Sequence, residues 1–214
     1  VDAAAELLIN ASLPIIHAGS GVIHALAFDE LRELAELLHA PVLTSWAARG
    51  AFPEDHELAI SMIHVELNHR VRNDADVVLT LGSRLGETDW WGKAPYWLQP
   101  AQQKMIQVDI DEDMLGLNKP TAVAALADAK VFMQGLIATI RAKRGTASLD
   151  GRKSQMAKYA EMRAAHRKEL DERLASGMNA GHVARACEQM FDKNAICAID
   201  GGNTSVWTNF YRTV

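Results

Sequence analysis

The chain has 214 residues, of which 49% are hydrophobic and 23% charged, and its formal net charge is −5. That is ordinary globular composition with enough apolar residues for a sizeable core, and the length allows one large domain or a domain plus a further piece. The acidic balance and the lack of a basic stripe argue against nucleic acid and anionic membrane surfaces as partners, and no apolar run approaches the ~20 residues that span a bilayer. Cys187 and Cys197 have neither metal-ligand spacing nor a disulfide framework, which points to a reducing, cytoplasmic compartment.

The chain opens on Val1 in a helix-like stretch with no signal segment and stops soon after an apolar run, so it reads as a piece of something longer. Residues 2–11 are helical by composition, with Pro14 as a stop. "PIIHAGSGV" (14–22) is a short apolar run ending in a glycine turn, a buried-strand signal. In 25–40, Leu31, Leu34, Leu37 and Leu38 share one helical face, with Glu30, Arg32, Glu33 and Glu36 largely away from it. "PVLTSW" (41–46) is a second strand, followed by a loop with Gly50 and Pro53, and 61–73 is a helix. "ADVVLTLGSRL" (75–85) is the clearest buried strand; "KMIQVDIDED" (104–113) is a fourth, "TAVAALAD" (121–128) a weaker fifth, and 129–144 a helix. Strands that are almost continuously apolar and separated by helices predict a parallel sheet covered on both faces, a Rossmann-like, doubly wound α/β fold.

Beyond "GTASLDGRK" (145–153), which reads as a linker, 154–176 is a strongly charged helix with few large apolar residues. A short amphipathic helix (181–190) and an apolar strand (195–200) follow, the opening of a second α/β unit. Without sheet neighbours that strand should seek an edge, within the chain or in a second copy.

Candidate site residues cluster at predicted strand ends. Gly19 and Gly21 after the first strand form half a dinucleotide fingerprint, serving either phosphate contact or a tight turn. Gly82, Ser83 and Arg84 end the clearest strand, where open α/β sheets bind ligands; Arg84 either pairs with a phosphate or bridges to Glu87 or Asp89. Asp109 suits ribose or adenine hydrogen bonds, as does Asp111, which could equally cap the next helix; alternate strand residues face opposite ways, so the two make no catalytic dyad. The eight histidines form no metal set, and no Ser-His-Asp or Cys-His arrangement follows from spacing. "DWWGKAPYW" (89–97) gathers three of the five tryptophans, which suggests a surface covered by a partner domain or subunit.

Taken in order, "ELLINASLPIIHAGSGV", "LRELAELLHAPVLTSWAARGAFPEDHEL", "NDADVVLTLGSRL", "MIQVDIDEDMLGLNKPTAVAALADAK" and "AIDGGNTSVW" resemble thiamine-diphosphate-dependent enzymes of the acetolactate synthase, pyruvate oxidase and benzoylformate decarboxylase group. The resemblance covers essentially the whole chain. It implies a central domain over 1–144 with about six parallel strands, a linker and connector helix over 145–180, and the start of a pyrophosphate-binding domain over 181–214. It further implies that Gly202, Asn203 and Thr204 touch the diphosphate of thiamine diphosphate, and that the parent enzyme, a 2-oxo acid decarboxylase or carboligase, uses Mg²⁺. By the same resemblance, catalytic and metal residues lie in flanking pyrimidine- and pyrophosphate-binding domains of a homo-oligomer, and none lies in this chain. Family members hold FAD, ADP or nothing in the central domain; the matching positions here are Gly19, Gly21, Ser45, Gly82, Ser83, Arg84, Asp109, Ile110, Asp128 and Ala129. Where flavin-binding members carry a Gly-x-His-Gly-Thr loop this chain reads "SMIHVELNH" (61–69), which ranks an ADP-like or vestigial site above FAD. The competing reading is a free-standing Rossmann-like nucleotide-binding module.

Overall fold

The computed structural model describes residues 1–145, 148–192 and 194–214. Two compact units divide the chain, Val1–Lys158 and Tyr159–Val214.

The first unit is built on six parallel strands: β1 (Pro14–Ala18), β2 (Val42–Thr44), β3 (Ala59–Ile60), β4 (Val77–Leu81), β5 (Lys104–Asp109) and β6 (Val123–Leu126), in the order β3-β2-β1-β4-β5-β6. This is the doubly wound order, and chain direction across the sheet reverses between β1 and β4. Those two central strands are buried at every position, so both sheet faces are covered, whereas β6 alternates between half-buried and exposed as an edge strand does. Helices α1 (Asp2–Asn10), α2 (Ser20–His24), α3 (Phe28–Leu38), α4 (Val65–Asp74) and α5 (Ala129–Lys143) complete the layers, with α5 packed on both α1 and α3. The leucine face of α3 is the buried one: Leu31, Leu34 and Leu38 have no exposed surface. The turn from α1 into β1 is fixed by Asp76, whose carboxylate accepts from the amides of Ser12 and Leu13 at 2.7 and 2.9 Å.

The Rossmann-like expectation is met, with local differences. The first strand stops at Ala18, because the chain after Gly19 turns into α2. Residues 61–64 lie outside the helix expected at 61–73, and just before them β3 supplies the sixth strand; two residues are too few to show periodicity.

Helix α6 (Asp150–Ala175) spans the boundary between the units. In the second unit, α7 (Ala180–Met190) begins in a capping box of Asn179 and His182, and α8 (Asn203–Tyr211) follows. Leu170, Ala184 and Tyr211 form its buried cluster, with Leu174, Trp207 and Phe210 packed against them. The strand expected at 195–200 does not form: these residues have no regular structure and Ile196 is fully exposed. A strand needs a neighbour for its backbone groups, and no strand is described in this unit.

Candidate functional site

The C-terminal ends of the strands enclose a cleft of about 810 Å³ at the β1/β4 reversal, within the size range of small-molecule sites. The structure brings most of the expected residues to it: Gly21 after β1, Ser45 after β2, Gly82, Ser83 and Arg84 after β4, Asp109 and Ile110 at the end of β5, and Asp128 and Ala129 at the start of α5. Gly19 lies just behind, its amide donating to Leu81 O at 2.8 Å.

The glycines answer to each other. Gly82 has φ +55, and a Cβ there would sit 2.4 Å from Gly21 Cα; a Cβ on Gly21 would sit 2.6 Å from Gly82 Cα. Two turns cross in direct backbone contact, so glycine is demanded whether or not a phosphate is present. The acids are held from behind. Asp128 caps α5, its Oδ1 accepting from Lys130 N and Val131 N at 2.9 and 3.1 Å, and Asp109 Oδ1 accepts from Asp111 N at 3.1 Å. Asp111 in turn caps the turn at Glu112–Met114 through Asp113 N, the helix-cap alternative of the sequence. Arg84 is exposed and makes no ion pair among the described residues. The bridge to Asp89 weighed for it does not form, because Asp89 is engaged elsewhere.

Asp89 is 4% exposed and belongs to a network that spacing did not reveal. Its Oδ2 lies 3.4 Å from His17 Nε2, its Oδ1 accepts from Arg72 at 3.3 Å, and its backbone carbonyl accepts from Trp97 Nε1 at 2.8 Å. Burial alone would raise the Asp89 pKa; His17 and then Arg72 outweigh that and hold it below the usual value. Arg72 also stacks over the Trp97 ring, 4.8 Å from its centroid. Ser83 Oγ approaches the same His17 Nε2 at 3.4 Å. Serine and aspartate thus meet one ring nitrogen, while Nδ1 has no partner among the described residues, so Ser83, His17 and Asp89 are no relay of the Ser-His-Asp kind. The signal in the sequence was a lone histidine inside an apolar strand.

The tryptophan segment is half core and half surface: Trp97 is 1% exposed, Trp90 39% and Trp91 44%. Trp90 stacks on Tyr96 at 3.9 Å. A smaller cavity of about 390 Å³ shares Trp46, Glu87, Thr88 and Asp89 with the cleft. Gly202, Asn203 and Thr204 belong to the second unit, exposed at the start of α8. Among the described residues, no group of three His, Cys, Asp or Glu side chains could hold a metal ion, and no helix is long and apolar enough to cross a membrane.

The profile of the family "Thiamine pyrophosphate enzyme, central domain" matches residues 1–136. The chain is 32% identical to a sulfoacetaldehyde acetyltransferase of Roseovarius nubinhibens, over 99% of this chain and 38% of that protein. It is 35% identical to an acetolactate synthase of Mycobacterium bovis, over 66% of this chain and 23% of that protein. The chain therefore spans well under half the length of these relatives. A crystal structure from Mycobacterium smegmatis, described as thiamin diphosphate-dependent, superposes with a TM-score of 0.51 and 26% identity over 65% of this chain and 27% of that one. Sheet order, cleft position and sequence match agree: this chain belongs to the thiamine pyrophosphate enzyme family and carries its central domain.

Proposed function

We propose that the chain serves a thiamine diphosphate-dependent 2-oxo acid decarboxylase or carboligase of the acetolactate synthase kind. In it the sheet unit binds an adenine nucleotide, ADP or FAD, and does no chemistry itself. The carrying observation is the cleft at the β1/β4 reversal, which has Arg84 as an uncommitted cation and two backbone-anchored carboxylates. The names of the relatives, an acetyltransferase and a synthase of acetolactate, favour transfer of a two-carbon acyl unit.

Residues 1–144 then act as the central domain, 145–180 as linker and connector, and 181–214 as the start of the pyrophosphate-binding domain. Gly202, at φ +72 with open space where a Cβ would stand, suits a backbone cradle for the diphosphate of thiamine diphosphate, with Asn203 and Thr204 beside it. That cofactor, when bound, supplies the electron sink for loss of CO₂. We assign the Mg²⁺ ligands to other regions of the enzyme, and the partners are its flanking domains in a cytoplasmic homo-oligomer, where Cys187 and Cys197 stay free thiols.

Titration calorimetry of the purified chain with ADP and with FAD tests the nucleotide reading. We expect one-to-one binding of at least one of them; no heat from either would leave the unit a spacer between catalytic domains.

A further inference from the structure

We infer that the free edge of β6 is a docking surface for a second copy of this chain, joined strand to strand in antiparallel register about a two-fold axis through Ala124. The homo-oligomer proposed above thereby gains a surface and a register, and neither depends on the nucleotide reading.

The edge is open and unguarded. Among the described residues β6 pairs only with β5, and the opposite edge strand, β3, has two residues, too few for a ladder. Natural sheets blunt a free edge with lysine, proline or a bulge. Residues 121–127 read TAVAALA, with no charge and no proline, and the register on β5 runs unbroken from Val123 to Leu126.

The backbone selects the occupant. Ala122 N donates to Met105 O at 2.7 Å, so Ala122 and Ala124 turn their backbone groups towards β5, and alternation turns those of Val123 and Ala125 away from it. The amides of Val123 and Ala125 accordingly find no acceptor among the described residues. Two outward residues flanking Ala124 are self-complementary. In antiparallel register Val123 exchanges both backbone bonds with Ala125 of the second copy, and the two-fold axis repeats the exchange.

Side chains and charges fit the same register. Ala122 and Ala124 are small and exposed, and Leu126 is 59% exposed. Each Leu126 then stands opposite Ala122 of the other copy, large on small. Lys104 starts β5, whereas Asp109 ends it and Asp128 follows β6. Antiparallel joining brings the acidic end of each sheet towards the basic start of the other, and sets no charges opposite each other within 121–127.

Cysteine cross-linking of the whole chain, with Cys187 and Cys197 replaced by serine, tests this. The axis places Ala124 opposite itself in a non-hydrogen-bonded pair with Cα atoms about 4.5 Å apart, within disulfide reach. In a glutathione buffer we expect Ala124→Cys to give a disulfide dimer at least about tenfold in excess of Ala122→Cys, whose own positions stand about 14 Å apart. Light scattering should find a dimer that dissociates on dilution. Ala124→Lys, which sets like charges opposite each other at an exposed position, should weaken that dimer at least about tenfold. No excess of Ala124→Cys over Ala122→Cys, a chain that stays monomeric at the highest concentration reached, or a dimer indifferent to Ala124→Lys would each overturn the inference. The nucleotide reading stands in all three cases.

Discussion

At neutral pH the Lys119 ammonium is 3% exposed, donating to Gly92 O and Leu98 O at 3.2 and 2.6 Å, with the Trp97 ring centroid 5.6 Å away. Burial pushes its pKa down from 10.5 to about 8. The folded state therefore binds fewer protons than the unfolded chain between those values, and unfolding free energy rises with pH across that window. The gain should reach about 3 kcal/mol by the upper end, since one pKa unit corresponds to roughly 1.4 kcal/mol. Urea unfolding of the parent and of Lys119→Met between pH 7 and 10.5 checks this: the parent should gain stability relative to the variant, and parallel curves would disprove it. Residue roles were legible wherever the partner is local. Asp111 was open to reading as a cap because its acceptor bonds an amide two residues on. Lys119, His17, Arg72 and Asp89 were not legible, because elements far apart in the chain bring them together and pattern within a window carries no trace of that.

Helix α6 shows how one element is tied to others by a single side chain. Arg152, 5% exposed, donates to Leu8 O, Ile9 O and Ala11 O at the end of α1, and to Leu38 O at the end of α3. Neither helix has a basic residue in its own last turn; Arg152 brings a cation to both C-termini, joined at α3 by Arg144, which donates to Leu37 O. Replacing it with Met would strand several carbonyls, each costing about 1–3 kcal/mol if left unsatisfied. We expect Arg152→Met to lose at least ~3 kcal/mol in urea unfolding, with faster amide exchange at the ends of α1 and α3, and Arg152→Lys to recover part of it. Unchanged exchange at both helix ends would refute the dual cap. From sequence, 154–176 read as a strongly charged helix with few large apolar residues, and Arg152 lay in the stretch read as a linker (145–153); the helix instead starts at Asp150, and a buried arginine near its start leaves no periodic signature. The apolar run at 195–200 failed in the opposite sense. Its composition suits a strand, but strand formation depends on a neighbour that composition does not report.

At the scale of the molecule the two units differ sharply in what holds them. The sheet unit buries both central strands and an array of leucine and isoleucine side chains. The unit Tyr159–Val214 relies on Leu170, Ala184 and Tyr211, helped by Leu174, Trp207 and Phe210, by the Tyr211 hydroxyl donating to Leu170 O at 2.9 Å, and by Arg185 bridging to Asp171 at 2.9 Å. Meanwhile Met178, Met190, Phe191 and Ile196 remain exposed. The order of motifs made the family legible along the chain, yet it gave no hint of this imbalance, which depends on which apolar residues find partners. A small core offsets little conformational entropy, so Tyr159–Val214 should unfold first, as a separate step. Trp207 belongs to this unit, whereas Trp46, Trp90, Trp91 and Trp97 belong to the other. In urea, tryptophan emission should therefore show two transitions, and Trp207→Phe should remove the signal of the earlier one while leaving the later midpoint in place. Native-state hydrogen exchange should likewise find α7 and α8 opening well before β1 and β4. A single transition shared by both probes and unaltered in timing by Trp207→Phe would mean that the short unit draws its stability from the sheet unit and not from its own cluster.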